Sequence, residues 1–157
     1  MSRFKRNILN EEQQSKAVNA LQTSLYDLVE LALQGKQAHW NVVGENFRSV
    51  HLQLDEIIDS VREASDAVAE RIATLGISPD GRAGSVSSNT RLDNYPDGLQ
   101  SVPATVGAVA DRLTRTVKGL RQAIATVGDV DPISEDLLIG ISSTLEKHLW
   151  MVQAQEA

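Results

Sequence analysis

Apolar residues recur at spacings of three and four along most of the chain, the pattern of helices that bury one face. The first such segment covers residues 11 to about 40, and Asn10 is a suitable N-cap for it. The second runs from about residue 45 to Gly76, a residue type that commonly ends a helix. The third covers residues 103 to about 127, and the fourth opens near Ser134. The pattern therefore predicts four long helices.

The connections between these segments indicate how the helices are arranged. Residues 77–102 are rich in proline, glycine, serine and asparagine and are too many for a tight turn, although one short helical turn is expected around Ser87–Leu92. The other two links are short. A long crossover between the second and third helices is typical of the ferritin-like four-helix bundle, an all-α fold. We therefore predict an N-terminal tail over residues 1–10 and one bundle domain over residues 11–157.

Composition narrows the classes of function. The net charge of −6 and the sequence pI of about 5.0 argue against a surface built mainly to grip nucleic acid. The chain contains no cysteine, which excludes disulfides, thiolate metal sites and thiol nucleophiles. The N-terminus has basic residues but no apolar stretch behind them, and no run is long enough to span a membrane. These features predict a cytoplasmic protein, with association with the nucleoid left open.

Histidine and carboxylate residues fall in pairs in the second helical segment. His51 and Asp55 are four residues apart, as are Asp66 and Glu70, so each pair shares one helix face. Imidazole and carboxylate together are the ligand set of a transition-metal site. Either pair alone would more often be part of a solvated face. The presence of two pairs, with His39 just before the helix, favours metal binding.

The spacing between the two pairs predicts a dimer. Asp55 and Asp66 are eleven residues apart, which is about 1100° of helix rotation and within about 20° of three full turns. The pairs therefore lie on one stripe, separated by about 16 Å, whereas metal–ligand bonds are about 2 Å long. One helix cannot close both pairs around one ion. Two antiparallel copies can, about a two-fold axis near Ser60–Val61, and they would form two equivalent sites.

The same stretch resembles the Dps family of mini-ferritins. The matching residues are Gln37-Ala38-His39-Trp40-Asn41-Val42-Val43-Gly44, Phe47, His51, Asp55, Asp66 and Glu70-Arg71. The last helix, with Leu145-Glu146-Lys147-His148-Leu149-Trp150, also looks like that of the family. The Glu-x-x-His metal motif of the larger ferritins is absent from the sequence.

The resemblance implies a ferroxidase that assembles as a homododecamer around a hollow cavity. By match to the family motif, one chain would supply His39, His51 and Asp55. A neighbouring chain would supply Asp66 and Glu70. Iron(II) would bind between them and be oxidised, by hydrogen peroxide in preference to dioxygen, and the ferric product would be stored in the cavity. Removing both reactants that generate hydroxyl radical would protect DNA.

Further residues receive secondary roles by the same resemblance. Trp40 would pack over the site, or would be buried in the core or an interface. Two acids would line the cavity and nucleate mineral, unless they form a plain solvated face: Glu56 and Asp59. Three acids would surround a three-fold pore, and each would also stabilise the start of the last helix by up to about 1 kcal/mol: Asp131, Glu135 and Asp136.

DNA binding is predicted to be weak. The basic tail contains only Arg3, Lys5 and Arg6, and a shell of twelve chains would carry a charge of roughly −72, twelve times −6. Two alternative functions remain open from the sequence. One is a dinuclear-metal hydrolase that uses zinc or manganese at the same ligands, although no nucleophile or substrate pocket is evident. The other is a nucleoid-structuring protein in which the metal site is secondary.

Overall fold

Four long helices form the body of the protein. The structure, a computed structural model, describes residues 6–157. Its helices are α1 (Glu11–Asn41), α2 (Phe47–Thr74), α3 (Ala83–Asn89), α4 (Val102–Val127) and α5 (Pro132–Gln153), followed by a 3₁₀ turn over Ala154–Glu156. Two short strands, β1 (Val42–Val43) and β2 (Gln100–Ser101), pair in parallel with Val42 opposite Gln100. The predicted all-α four-helix bundle with a long crossover between its second and third long helices is confirmed.

The helix ends follow from local sequence. The Asn10 side chain accepts a hydrogen bond from the Gln13 amide at 2.9 Å, and the Gln13 side chain accepts one from the Asn10 amide at 3.3 Å, which together form a capping box. Gly76 has a φ of 87°, a conformation that glycine adopts without strain, and it follows the end of α2 as predicted. Helix α5 begins at Pro132, two residues before the predicted Ser134, because the fixed φ of proline suits the first helical turn.

The crossover is held against α1 by a buried carboxylate. The short helix expected around Ser87–Leu92 is found at Ala83–Asn89, so it begins four residues earlier and ends three residues earlier. Asp27 of α1 is fully buried and accepts hydrogen bonds from the Arg91 amide and the Arg91 Nε, both at 2.8 Å, and from Thr90 Oγ1 at 3.2 Å. These bonds fix Thr90 and Arg91 in a non-helical conformation, which explains why the helix ends at Asn89.

The core lies between the four long helices, and each contributes fully buried leucines, including Leu21, Leu54, Leu113 and Leu138. Each such side chain contributes about 1.5–3 kcal/mol by leaving water. Helix α1 packs against α2 and α4, and α4 packs against α5, so α2 and α4 occupy opposite corners. Gly35 allows α1 and α2 to approach closely, because a Cβ there would lie 2.8 Å from Ile58 Cγ1. Within residues 6–157, no helix is long and apolar enough to cross a membrane.

Candidate metal centre

Three potential metal ligands meet where the end of α1 lies beside the start of α2. His39 lies in the last turn of α1, and His51 and Asp55 lie one turn apart near the start of α2. One nitrogen or oxygen atom from each of the three lies within 4.8 Å of the others. No other group of three or more histidines and carboxylates in residues 6–157 is arranged in this way. The structure therefore brings together the three residues that the sequence assigned to one chain.

Hydrogen bonds orient the two imidazoles. The backbone carbonyl of His39 lies 3.0 Å from His51 Nδ1 and accepts a hydrogen bond from it, so Nε2 is the nitrogen of neutral His51 with a free lone pair. The two rings are stacked, with centroids 3.6 Å apart. His39 Nε2 lies 3.0 Å from Asp55 Oδ2, and His39 Nδ1 is buried without a hydrogen-bond partner. Imidazole nitrogens thus face a carboxylate across a gap that a metal ion could bridge.

A lysine also contacts the carboxylate of this cluster. Lys36 Nζ lies 2.6 Å from Asp55 Oδ1, the oxygen that does not face His39. The hydrogen bond from Lys36, with a smaller contribution from His39, lowers the pKa of Asp55 below its ordinary value. Asp55 is therefore ionised at neutral pH, the form in which a carboxylate binds a metal ion.

The second predicted pair lies away from this cluster within one chain. Asp66 and Glu70 are exposed on α2, three and four turns after Asp55. Exposed apolar side chains lie beside the cluster instead. The Phe47 ring is 5.7 Å from the His51 ring, and Trp40 and Leu52 directly follow His39 and His51 in the chain; all three are exposed, Trp40 by 68%. The alternative that Trp40 belongs to the core of its own chain is therefore wrong. Grouped apolar side chains of this kind are typical of surfaces that another protein molecule covers.

Arg71 has a structural role that the sequence did not indicate. Its Nη2 lies 2.9 and 2.8 Å from the two carboxylate oxygens of Asp131, and its Nε donates to Ser134 Oγ at 2.9 Å. Burial by itself would raise the pKa of Asp131, but the hydrogen bonds from Arg71 and Ser134 outweigh it and lower the pKa. The Asp131 carboxylate, assigned to a pore from the sequence, is thus buried and used to join the end of α2 to the start of α5. The only sequence signal was Arg71 as the last residue of the family motif.

The remaining predicted residues lie apart from the metal cluster. Glu56, Asp59 and Asp136 are exposed, and Glu135 is half-buried beside Gly128. Arg6 is exposed, whereas Arg3 and Lys5 lie outside the described residues. His148 is buried in α5, where its Nε2 lies 2.9 Å from Ser60 Oγ, and burial lowers its pKa.

A four-helix bundle with one long crossover, and with potential metal ligands facing each other from two of its helices, has the features of a ferritin-like protein. The family model of the ferritin-like domain matches residues 18–156. Among curated relatives, a Mycolicibacterium smegmatis protein described as "DNA protection during starvation protein" is 38% identical over 93% of this chain and 80% of its own length. The Haemophilus ducreyi "fine tangled pili major subunit" is 40% identical over 86% of this chain and 71% of its own length.

Solved structures agree with the sequence relatives. The tetragonal form of Mycobacterium smegmatis Dps superposes with a TM-score of 0.93 and 37% identity over 99% of this chain and 94% of that one. The high iron form of Dps from Microbacterium arborescens superposes with a TM-score of 0.90 and 29% identity over 96% of this chain and 98% of that one. The chain therefore belongs to the Dps family of ferritin-like proteins.

Proposed function

We propose that this protein is an iron-detoxifying and iron-storing ferroxidase. Iron(II) is its substrate, and the observation that carries the proposal is the cluster of His39, His51 and Asp55. Carboxylate oxygens are hard donors that favour iron and stabilise its ferric state, and neutral imidazoles complete the set. The high iron form described for the Microbacterium arborescens relative supports iron as the metal.

The proposed site is completed by a second copy of the chain. Three ligands from one chain leave coordination positions open, and the cluster is bordered by exposed apolar side chains that suit an interface. Asp66 and Glu70 lie on the same stripe of α2 as Asp55, so an antiparallel partner helix would bring its own pair of acids to the cluster. The two-fold arrangement would create two identical sites in each dimer.

The proposed chemistry balances with hydrogen peroxide as the oxidant. Two iron(II) ions each give up one electron, the O–O bond breaks, and two protons complete two water molecules. No hydroxyl radical is released when both electrons reach one peroxide molecule. The names of relatives that protect DNA during starvation support a protective outcome of this reaction in a cytoplasmic setting.

We propose further that twelve chains enclose the ferric product. Acidic side chains on α2 would face the cavity and nucleate mineral, and the exposure of both candidates supports this: Glu56 and Asp59. Of the three acids assigned to a three-fold pore, the two whose carboxylates are not bound by Arg71 are the better candidates: Glu135 and Asp136. The side chain of Asp131 would hold the start of α5 in place beside that pore.

Weak binding of DNA is a second proposed activity, and the charge of α4 favours it. Helix α4 carries four basic residues and one acidic residue, a net +3 in a chain of net −6. All four bases are at intervals of three residues: Arg112, Arg115, Lys118 and Arg121. Arg115 and Lys118 are exposed, and Arg121 forms an ion pair with Glu146. This basic stripe would add to the predicted tail of Arg3, Lys5 and Arg6 at low salt. The acidic shell would still make the total affinity low.

An anaerobic iron(II) titration followed by peroxide tests the main proposal. We expect the near-ultraviolet absorbance of Fe(III) to appear only after peroxide is added. About two iron(II) ions should be oxidised for each molecule of peroxide. Asp55→Asn should slow this reaction strongly, whereas Glu63→Gln, an exposed acid on the same helix, should not. Equal rates in the two variants would contradict the proposed site. Ester or amide hydrolysis that needs zinc but no oxidant would instead favour the hydrolase alternative.

A further inference from the structure

A cavity of about 610 Å³ lies between α4 and the part of the crossover that follows α3, and it shares no residue with the metal cluster. Four basic and two acidic side chains line it: Arg91, Arg112, Arg115, Lys118, Asp93 and Asp111. The lining therefore carries a net charge of +2, four minus two, in a chain of net −6. A concave surface lined mainly by one sign of charge concentrates ions of the opposite sign.

Arg112 is a fixed cation whose hydrogen-bond partners are all neutral. Its Nε donates to Gln34 Oε1 at 2.5 Å, and its Nη1 and Nη2 donate to the backbone carbonyl oxygens of Ala108 at 2.8 Å and Asn94 at 2.5 Å. The guanidinium also lies over the Tyr95 ring, 5.2 Å from its centroid. No carboxylate among residues 6–157 forms an ion pair with Arg112. Its positive charge is thus held in place without being neutralised by a neighbouring acid.

Arg91 is the second fixed base of the cavity. Its Nε and Nη2 bind the buried carboxylate of Asp27 at 2.8 and 2.6 Å. The guanidinium lies over Gly119 of α4, where the Cβ of any other residue would overlap it. Within the described part of the chain, no oxygen accepts a hydrogen bond from Nη1. The side chain is 28% exposed, so this N–H group is positioned to donate to a bound anion.

The other two bases of the cavity are exposed. Arg115 and Lys118 follow Arg112 on α4 at intervals of three residues, and neither forms an ion pair with any residue from 6 to 157. The planar fork of a guanidinium suits phosphate oxygens, and a lysine adds a flexible positive charge. The lining contains no aromatic side chain on which a nucleobase could stack. The residues present therefore suit phosphoryl groups and offer nothing to a base.

We propose that this cavity binds a compact oligophosphate anion, either inorganic or the phosphate tail of a nucleotide. The half-buried Arg91 and Arg112 hold phosphoryl oxygens at fixed positions, and the exposed Arg115 and Lys118 close over the remaining charge. The inference goes beyond the proposed DNA binding, because a rigid duplex would contact the two exposed bases and not the two half-buried ones. It is also independent of the proposed ferroxidase site, with which it shares no residue.

Calorimetric titration of the assembled, metal-free protein with sodium tripolyphosphate tests the proposal. We expect one anion to bind per chain, with an affinity that falls as salt is added. The double variant Arg115→Gln/Lys118→Gln should bind about tenfold more weakly or worse, whereas Arg121→Gln, an exposed base of α4 outside the cavity, should match wild type. Asp111→Asn should bind about threefold tighter, whereas Asp129→Asn, an exposed acid elsewhere, should not.

Further ligands distinguish the sources of the phosphoryl groups. Magnesium-free ATP should bind no tighter than tripolyphosphate, and adenosine should not bind. ATP that binds tenfold tighter than tripolyphosphate would overturn the assignment to phosphoryl groups alone. A short DNA duplex that binds more tightly per phosphate than tripolyphosphate would show an open DNA surface in place of an oligophosphate cavity.

Two results with the protein variants would also overturn the proposal. One is an equal loss of affinity in Arg121→Gln and in the double variant, because the binding would then reflect general surface charge. The other is the absence of tripolyphosphate binding by wild-type protein, in heat and in phosphorus NMR line width. Neither measurement involves iron or peroxide, so either failure would leave the proposed ferroxidase standing.

Discussion

Replacing Arg71 by leucine should destabilise the fold more than replacing an exposed arginine. The side chains of Arg71 and Asp131 are 12% and 4% exposed, and the guanidinium contacts both carboxylate oxygens. Leucine fills part of the space but leaves Asp131 as a buried charge without its partner. Breaking a buried ion pair in this way costs about 3–5 kcal/mol, which corresponds to a lower Tm by about 10 °C for a chain of this size.

The loss of stability in Arg71→Leu should depend on pH. In the wild type the pKa of Asp131 is lowered, so the pair contributes stability above the ordinary carboxyl pKa, and this contribution is lost as pH falls through the folded-state pKa. Without Arg71, burial raises the pKa of Asp131, and protonation then relieves the unpaired charge. The stability difference between wild type and variant should therefore be largest at neutral pH. It should begin to narrow above the ordinary carboxyl pKa of about 4, where the variant's Asp131 takes up a proton, and should narrow further below it.

Urea unfolding followed by circular dichroism at matched protein concentration measures this difference, because assembly makes stability concentration-dependent. Arg115→Leu is the control, since Arg115 is exposed on α4, away from the proposed contact between α2 helices, and should change stability by no more than about 0.5 kcal/mol. Adding Asp131→Asn to Arg71→Leu should recover part of the loss by removing the charge. A loss below about 1 kcal/mol for Arg71→Leu, or a loss that does not depend on pH, would refute the reasoning.

Three further predictions follow from the charges and the assembly. Because burial lowers the pKa of His148, folding should weaken as pH falls below 6.5, and His148→Gln should reduce this dependence in thermal melts. In gel shifts at about 150 mM salt, the protein should retain little plasmid DNA. Binding at low salt should weaken when residues 1–9 are removed and should vanish when Arg115→Gln and Lys118→Gln are added. Strong binding that survives all three changes would contradict the proposed DNA-binding surface. Light scattering should give about 205 kDa, twelve times 17.1 kDa, and a monomer or dimer alone would contradict the dodecamer.

The helices could be predicted because their signals are local. Apolar spacing, the Asn10 cap and the Gly76 stop depend on neighbouring residues, and the structure has helix ends close to those positions. The short helix of the crossover was misplaced because its end depends on Asp27, which lies 63 residues before Thr90 in the chain. A single aspartate in an apolar stripe gives no information about which distant backbone amide it will bind.

The three ligands of the candidate site could be predicted because their sequence signals are also local. The residues around them could not. His51 and Asp55 share a helix face, and the link between α1 and α2 is short enough to bring His39 beside them. Lys36 reaches Asp55 across two packed helices, from 19 residues earlier in the chain. Arg71 reaches Asp131 from 60 residues earlier. Neither contact follows from a regular spacing in the sequence, so neither could be predicted before the packing of the helices was known.

Whether the oxidation site is shared between two chains is the central claim, and mixed assembly tests it most directly. Asp55→Ala removes a ligand from the cluster of His39, His51 and Asp55, and Asp66→Ala removes a ligand that the partner helix would supply. Each variant alone should therefore oxidise iron(II) poorly. In a mixed antiparallel dimer, one site carries both changes and the other carries none. Reassembled mixtures should therefore regain up to half of the wild-type peroxide-dependent oxidation rate per dimer. No recovery in verified mixed dimers would contradict a site built from two chains.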